Sequence, residues 1–206
     1  MLRLVIGNKN YSSWSLRPWL ALKQAGLPFE ETRLDIYRPN ARAEILKHSP
    51  TGKVPCLFDG DLQVWDSLAI CEYLAETNPS LWPDDGAARA RARSISAEMH
   101  SGFSALRSSM SMDICAAKPG QGRTPESEAD IARIVDIWQG CRARPAAAGA
   151  FLFGAFSIAD AMFAPVVWRF QTHAVALPPA ARSYADAMLG LPAMKEWAAA
   201  ARAEIG

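Results

Sequence analysis

The two halves of this chain follow different hydrophobic periods, and this difference limits the folds that are open to it. Short alternating apolar runs occur only in the first part of the chain, at residues 2–6, 29–36, 56–58 and 62–65. Alternation indicates half-buried strands, because successive side chains of a strand point to opposite faces. From residue 87 onward, apolar residues recur at helical spacing instead. The sequence therefore predicts an α+β unit followed by an all-α unit.

The first unit is predicted in the order strand, helix, strand, helix, strand, strand, helix. Its β-α-β opening implies a right-handed crossover with parallel strands. Asp59-Gly60-Asp61 separates the last two strands and predicts a tight hairpin, which adds an antiparallel edge. This order, β-α-β-α-β-β-α, is that of a thioredoxin-like domain.

A segment without periodicity divides the chain. Residues 79–86 are rich in turn formers and are predicted to be a linker. The predicted domains are thus residues 1–78 and residues 87–206. Within the second domain, helices are predicted at 87–117, 125–144, 157–172 and 192–205.

Charge and cysteine spacing exclude several classes of protein. The formal net charge is +1, so neither a nucleic-acid footprint nor a polybasic membrane patch is expected. The N-terminus does not resemble a signal peptide and no window is apolar enough to span a bilayer. The four cysteines are far apart and without metal-ligand spacing, which predicts reduced thiols, a cytoplasmic location and no metal: Cys56, Cys71, Cys115 and Cys141.

Pro55 follows a loop and precedes a predicted strand. X-Pro bonds are cis far more often than other peptide bonds, and a cis Pro55 would turn the N–H and C=O of Val54 outward to pair with an extended peptide. A trans proline that merely protects an edge strand is the alternative. The adjoining hairpin and helix start favour the cis form.

Asp66 and Ser67 stand where a helix begins. Either side chain can cap that helix, a contribution of about 1 kcal/mol. The free N–H groups of the helix and the Ser67 hydroxyl are also suited to a ligand carboxylate, with Asp66 pairing an adjacent ammonium. An α-amino-acid end carries both charges, and the γ-glutamyl end of glutathione is such a group.

Tyr11-Ser12-Ser13-Trp14-Ser15 lies between the first strand and the first helix. We expect one of these hydroxyls, most plausibly that of Ser13 or Ser15, to cap the helix. A hydroxyl at a helix N-terminus is also placed to donate to a bound thiolate. The segment contains no cysteine, which disfavours a thiol nucleophile from the protein.

Four motifs occur in an order that closely resembles the cytosolic glutathione S-transferases over the whole chain: Ser12-Ser13-Trp14-Ser15-Leu16-Arg17, Val54-Pro55, Asp66-Ser67-Leu68-Ala69-Ile70 with Tyr73-Leu74, and Phe156-Ser157-Ile158-Ala159-Asp160. The last is similar to the family's buried capping box, in which Ser157 and Asp160 bond reciprocally. The resemblance implies glutathione as co-substrate, bound by Lys53, Val54, Pro55, Asp66 and Ser67.

The serine pair is similar to that of the zeta class, which includes maleylacetoacetate isomerases. The resemblance implies that Ser12 serves the glutathione thiolate, with Ser13 as its rival and Tyr11 as a third candidate. This chain departs from the zeta pattern at Trp14 and at Pro18-Trp19, and it has Asp66 where glutamine is common.

The resemblance thus implies a homodimeric, detoxifying transferase that joins glutathione to a small electrophile. A glutathione-dependent isomerase and a non-catalytic binding module are the alternatives. An isomerase acting on unsaturated diacids needs cationic groups near the second pocket, which the sequence does not place. His48, His100 and His173 are expected to have ordinary surface or helix roles.

Overall fold

The computed structural model describes residues 1–144 and 148–205. Its first part contains, in chain order, β1 (Leu2–Ile6), α1 (Ser13–Gln24), β2 (Phe29–Arg33), α2 (Ala41–Leu46), β3 (Cys56–Asp59), β4 (Leu62–Trp65) and α3 (Ser67–Thr77). The sheet has the order β2-β1-β3-β4, in which β1 and β2 are parallel and the other two pairs are antiparallel. The predicted element order and mixed sheet are therefore confirmed.

The sheet forms because its central strands can be buried. In β1, Leu4 and Ile6 have no exposed surface, and Leu4 pairs with the equally buried Leu57 of β3. The β3–β4 hairpin turns at Gly60, whose φ of 57° is readily adopted only by a residue without a side chain. Strand β2 ends at Arg33, three residues before the predicted end.

The second part is helical. After a 3₁₀ turn (Pro79–Leu81), its elements are α4 (Gly86–Ser101), α5 (Ser104–Ser109), α6 (Pro125–Arg142), α7 (Ile158–Thr172), α8 (Pro179–Gly190) and α9 (Pro192–Ala203). The family-like fold expected from the sequence is thus present. The predicted second domain includes residues 145–147 and 206, which lie outside the described part of the chain.

The prediction of one helix over residues 87–117 is wrong. The chain breaks at Gly102, where a Cβ would lie 2.9 Å from the Glu98 carbonyl oxygen, and Phe103 adopts φ 59°. The guanidinium of Arg107 donates to carbonyls at the end of α4, including that of Gly102 at 3.0 Å. Arg107 thereby satisfies carbonyls that a continuous helix would have bonded internally.

Helix α8 was not predicted, although its buried residues recur at helical spacing: Ala181, Tyr184, Ala185 and Met188. Its start, Pro179-Ala180-Ala181, follows another proline and looks like a loop in the sequence.

Helix α7 lies at the centre of the molecule and packs on both α1 and α4. The predicted capping box begins it. The Asp160 carboxylate accepts from the backbone N–H of Ser157 at 2.8 Å and from that of Leu152 at 3.1 Å. Because Asp160 is fully buried, these bonds fix the start of the helix within the core.

None of the described helices is long and apolar enough to cross a membrane. The four cysteines are free thiols; Cys115 is exposed and the other three are buried.

Candidate functional site

A cavity of about 540 Å³ opens where the loop before β3 meets the start of α3. Its lining residues are Trp14, Thr51, Lys53, Val54, Pro55, Trp65, Asp66 and Ser67. All five residues predicted to bind glutathione are among them. We call this space the cis-proline cavity. A separate cavity of about 360 Å³ beside the 79–86 segment contains none of the predicted site residues.

The Val54–Pro55 peptide bond is cis, as the sequence analysis predicted. Within the described residues, neither the N–H nor the C=O of Val54 takes part in a backbone hydrogen bond. Both groups belong to a residue that lines the cavity, so an extended peptide has a donor and an acceptor available there.

Asp66 is the N-cap of α3, and its predicted capping role is confirmed. Its Oδ1 atom accepts from the backbone N–H groups of Leu68 at 2.9 Å and Ala69 at 3.2 Å. Its Oδ2 atom lies 3.2 Å from Nε2 of His100, a residue of α4. The carboxylate thus caps α3 through one oxygen and contacts the second half of the chain through the other.

Ser67 is the first residue of α3 and is almost fully buried, although it lines the cavity. Its hydroxyl oxygen accepts from Nη1 of Arg17 at 3.4 Å. Arg17 comes from α1 and has no exposed surface. The hydroxyl expected to hold a ligand carboxylate therefore has a buried cation behind it.

The two candidate serines have different partners, and both are more than nine-tenths buried. The Ser12 Oγ lies 2.7 Å from the Ser15 Oγ, which accepts from the Gly7 N–H at 3.1 Å. The Ser13 Oγ accepts from Nη2 of Arg169 at 3.3 Å. Neither serine is among the residues that line the cavity.

The predicted cap of α1 by Ser13 or Ser15 is wrong. Ser12 occupies the N-cap position, and its hydroxyl forms no hydrogen bond with the helix backbone. Ser15 instead bonds to the loop after β1, which draws its hydroxyl away from the helix end. The third candidate, Tyr11, is 39% exposed and packs edge-on against Tyr37.

Trp14 connects these residues to the cavity, because it lines the cavity and stands between Ser13 and Ser15 in the sequence. The guanidinium carbon of Arg17 is 4.3 Å from the Trp14 ring centroid, and that of Arg107 is 4.7 Å from it. The His100 ring meets Trp14 edge-on at 5.3 Å. Such cation–π contacts favour a guanidinium over an indole face.

The basic groups around Trp14 raise the local positive potential. Burial, followed by the charges of Arg107 and Arg169, lowers the pKa of Arg17 to about 9. Burial and Arg107 lower the pKa of Arg169 to about 10. Both groups remain protonated near neutral pH, so the site holds positive charge at an energetic cost that a bound anion reduces.

Three neighbours of the site are not predicted from the sequence: His100, Arg107 and Arg169. They come from α4, α5 and α7, and no local motif signals that these helices meet the loop after β1. Trp14 and Arg17, by contrast, belong to the serine motif of residues 12–17. Their place in that motif is the sequence signal that they lie at the site. His100 was expected to have an ordinary helix role, but it contacts both Asp66 and Trp14.

Buried thiols and acidic clusters offer no other chemistry at this site. Burial raises the pKa of Cys71, the thiol on α3, to about 12. Within residues 1–144 and 148–205, no group of three or more histidine, cysteine, aspartate or glutamate side chains is arranged to hold a metal ion.

Comparison with known families gives two matches that together span both halves of the chain. The family described as "Glutathione S-transferase, N-terminal domain" matches residues 11–77. The family described as "Glutathione S-transferase, C-terminal domain" matches residues 121–200.

Curated relatives match over part of their length. A probable maleylacetoacetate isomerase of Caenorhabditis elegans is 38% identical over 96 residues, which is 46% of this chain and 44% of that protein. A probable glutathione S-transferase of Oryza sativa subsp. japonica is 40% identical over 75 residues, 35% of each chain. The chain thus spans less than half the length of these relatives.

Solved structures share the fold over nearly the whole chain. A glutathione transferase homolog from Burkholderia, solved with bound glutathione, has a TM-score of 0.73 at 23% identity and covers 98% of both chains. A bacterial maleyl pyruvate isomerase, described as a zeta-class glutathione S-transferase, has a TM-score of 0.71 at 24% identity and covers 97% of both.

Proposed function

This chain belongs to the glutathione S-transferase family, and from that premise we propose that it binds glutathione in the cis-proline cavity and activates its thiol. The thiolate attacks an electrophilic carbon of a small substrate, so that a sulfur–carbon bond forms and the leaving group departs with its electron pair. The observation that carries this proposal is the meeting of Val54, Asp66 and Ser67 around one cavity.

The cavity offers a partner for each part of the tripeptide. The N–H and C=O of Val54 pair with the peptide backbone as a strand does. The hydroxyl and the backbone N–H of Ser67, at the start of α3, hold the γ-glutamyl carboxylate. The Oδ2 atom of Asp66 contacts the adjacent ammonium, and Lys53, exposed at the cavity rim, is available to the glycyl end.

We propose Ser12 as the donor to the thiolate. The Ser15 hydroxyl accepts from the Gly7 N–H; when it donates in turn to the Ser12 Oγ, the Ser12 hydroxyl proton is free for an external acceptor. Ser13 is the rival, because Arg169 donates to its oxygen and leaves its proton free in the same way. A charged donor strengthens such a hydrogen bond, which is the physical argument for Ser13.

A titration of thiolate absorbance with bound glutathione tests these assignments. Lowering a thiol pKa by two units corresponds to about 2.7 kcal/mol of differential stabilisation. We expect Ser12→Ala to raise the pKa of the bound thiol by about one unit or more, and Ser13→Ala and Tyr11→Phe to change it little. Glutathione affinity, measured in parallel by calorimetry, separates lost activation from lost binding.

Arg169→Met separates the two serines when it is compared with Ser13→Ala. It removes the charged donor to Ser13 and leaves the hydrogen bonds of Ser12 unchanged. Because it also removes a positive charge near the site, the thiol pKa should rise in either case, whereas Ser13→Ala should raise it only if Ser13 serves the thiolate. An unchanged pKa in Ser12→Ala together with a raised one in Ser13→Ala and Arg169→Met contradicts the assignment to Ser12.

Glutathione-dependent isomerisation is a second candidate function. The Arg107 guanidinium, 4.7 Å from the Trp14 ring centroid, places positive charge beside the cavity, as an unsaturated diacid requires. In that reaction the thiolate adds reversibly to the double bond, and its departure after rotation regenerates free glutathione. Turnover of a cis diacid without consumption of glutathione supports the isomerase, and loss of glutathione supports the transferase. Binding of glutathione with no turnover of either kind supports a non-catalytic module.

We also propose that the protein is a cytoplasmic homodimer with a role in detoxification. The buried free thiols are typical of a reducing compartment. Leu62 and Trp65 of the edge strand β4 are 49% and 45% exposed, which provides apolar surface for a second copy. Sedimentation velocity tests the dimer.

A further inference from the structure

Arg17 is a buried cation beside the cis-proline cavity, and among the described residues its guanidinium is only partly hydrogen-bonded. Its side chain has no exposed surface, and Nη1 donates to the Ser67 hydroxyl at 3.4 Å. Within the described residues, Nε and Nη2 have no hydrogen-bond partner. A buried guanidinium with unmade hydrogen bonds is costly, so its position needs an explanation.

The nearest carboxylate does not compensate this charge by direct contact. Asp66 uses Oδ1 for two backbone N–H groups of α3 and directs Oδ2 to His100. Arg107 and Arg169, the cations whose charges act on Arg17, both donate to backbone carbonyl oxygens and so have structural partners. Arg17 differs from them because, among the described residues, its only hydrogen-bond partner is the Ser67 hydroxyl.

We propose that Arg17 is a positioning residue for the α-carboxylate of the bound peptide and acts through Ser67. By donating to the Ser67 oxygen, the guanidinium occupies an acceptor site and directs the hydroxyl proton outward, toward the cavity. The carboxylate that receives this proton then lies above a buried positive charge. The two charges attract strongly because little water separates them.

This inference rests on the proposed binding of glutathione and adds a specificity to it. The site should select peptides that keep a free carboxylate on the γ-linked residue. A peptide that has the same backbone and thiol but lacks this carboxylate should bind with an affinity that does not depend on Arg17.

The test compares two ligands by isothermal titration calorimetry. They are glutathione and 4-aminobutanoyl-cysteinyl-glycine, which lacks only the γ-glutamyl α-carboxylate. We expect the wild-type chain to prefer glutathione by about ten- to a hundredfold, the range of a charge-assisted hydrogen bond. Arg17→Met should remove most of this preference and leave the affinity for the decarboxylated peptide within about twofold.

Arg107→Met is the matched control, since it also removes a guanidinium stacked on Trp14. It should change the preference for glutathione much less than Arg17→Met does, because Arg107 does not contact Ser67. Arg17→Lys keeps a charge but loses the planar donor geometry, and it should reduce the preference at least about fivefold. Arg17→Lys decides the question if circular dichroism shows that Arg17→Met does not fold.

If the Arg17 variants lose affinity for both peptides equally, the inference is overturned, because a residue with a purely structural role affects the binding of both alike. An unchanged preference for glutathione in Arg17→Met, or in Arg17→Lys if only that variant folds, also overturns it. If the wild-type chain binds neither peptide, the proposed function fails and the inference fails with it.

Discussion

The two carboxylate oxygens of Asp66 have different partners, and this difference governs what the residue can offer a ligand. Oδ1 is held by two backbone N–H groups of α3, whereas Oδ2 contacts His100 across the two halves of the chain. A ligand ammonium therefore has to share Oδ2 with His100. The protonation of His100 is consequently linked both to the fold and to the site.

We expect His100→Gln to change how the free energy of unfolding depends on pH. Burial, the largest effect, lowers the pKa of His100 below its ordinary value of 6.5, against the opposing pull of Asp66. The unfolded chain then binds the proton at higher pH than the folded chain does. The stability contributed by neutral His100 is thus present above pH 6.5 and is lost as the pH falls through the folded-state pKa.

The measurement is urea unfolding of both proteins at about pH 7.5 and about pH 5.5. The stability of the wild type relative to His100→Gln should be greater at the higher pH. His48→Gln is the control, since His48 follows α2 and does not line the cavity. A relative stability that grows on acidification would mean that the attraction of Asp66 outweighs burial.

The elements of the first half were predictable because their signals are local. The cis proline, the Asp-Gly hairpin and the capped helix start all lie within residues 49–76, so one stretch of sequence specifies most of the cavity wall. The break after α4 was not predictable in this way. It depends on Arg107 of α5, whose guanidinium bonds to carbonyls at the end of α4, a contact that hydrophobic spacing does not reveal.

The partners of the candidate serines illustrate the same limit. Ser12 and Ser13 were identified from a motif, but Arg169 lies 156 residues away from Ser13 along the chain. Only the packing of α7 on α1 brings the two side chains together. Hydrophobic spacing predicts that two helices bury a face, but not which polar groups meet where those faces join.

We expect Asp160→Ala to destabilise the chain by about 2–4 kcal/mol through the start of α7. The substitution leaves the buried N–H groups of Leu152 and Ser157 without their acceptor. Ser157→Ala is the milder comparison, at about 1 kcal/mol, because it removes only a hydroxyl. Denaturant unfolding followed by far-ultraviolet circular dichroism gives both values. Equal losses in the two variants would contradict the dominant role of the carboxylate.

At the scale of the whole molecule, the end of the chain holds the loop that follows β1. The Trp197 Nε1 of α9 donates to the Lys9 carbonyl at 2.8 Å, and the Glu204 carboxylate accepts from the Lys9 N–H at 2.9 Å. The Trp197 ring also packs on Trp19 of α1, with centroids 5.0 Å apart. The loop that carries the candidate serines is thus positioned by residues nearly two hundred positions away.

Two tryptophans allow this long-range support to be measured. Trp197 and Trp138 both have no exposed surface, but within the described residues the Trp138 Nε1 has no hydrogen-bond partner. A change to phenylalanine therefore removes similar apolar volume at both positions, and at Trp197 it also leaves the Lys9 carbonyl unsatisfied. That difference should make Trp197→Phe the more destabilising by about 1–3 kcal/mol in urea unfolding.

The same pair links the fold to the chemistry. Loosening Lys9 shifts the loop that leads to Ser12, so Trp197→Phe should also raise the pKa of the bound glutathione thiol under conditions in which the chain is folded. Trp138→Phe repacks only the helical half, where its ring meets Phe163, Phe170 and Tyr184, and should leave that pKa unchanged. If both variants shift the thiol pKa equally, the serine loop responds to overall stability and not to its contact with α9.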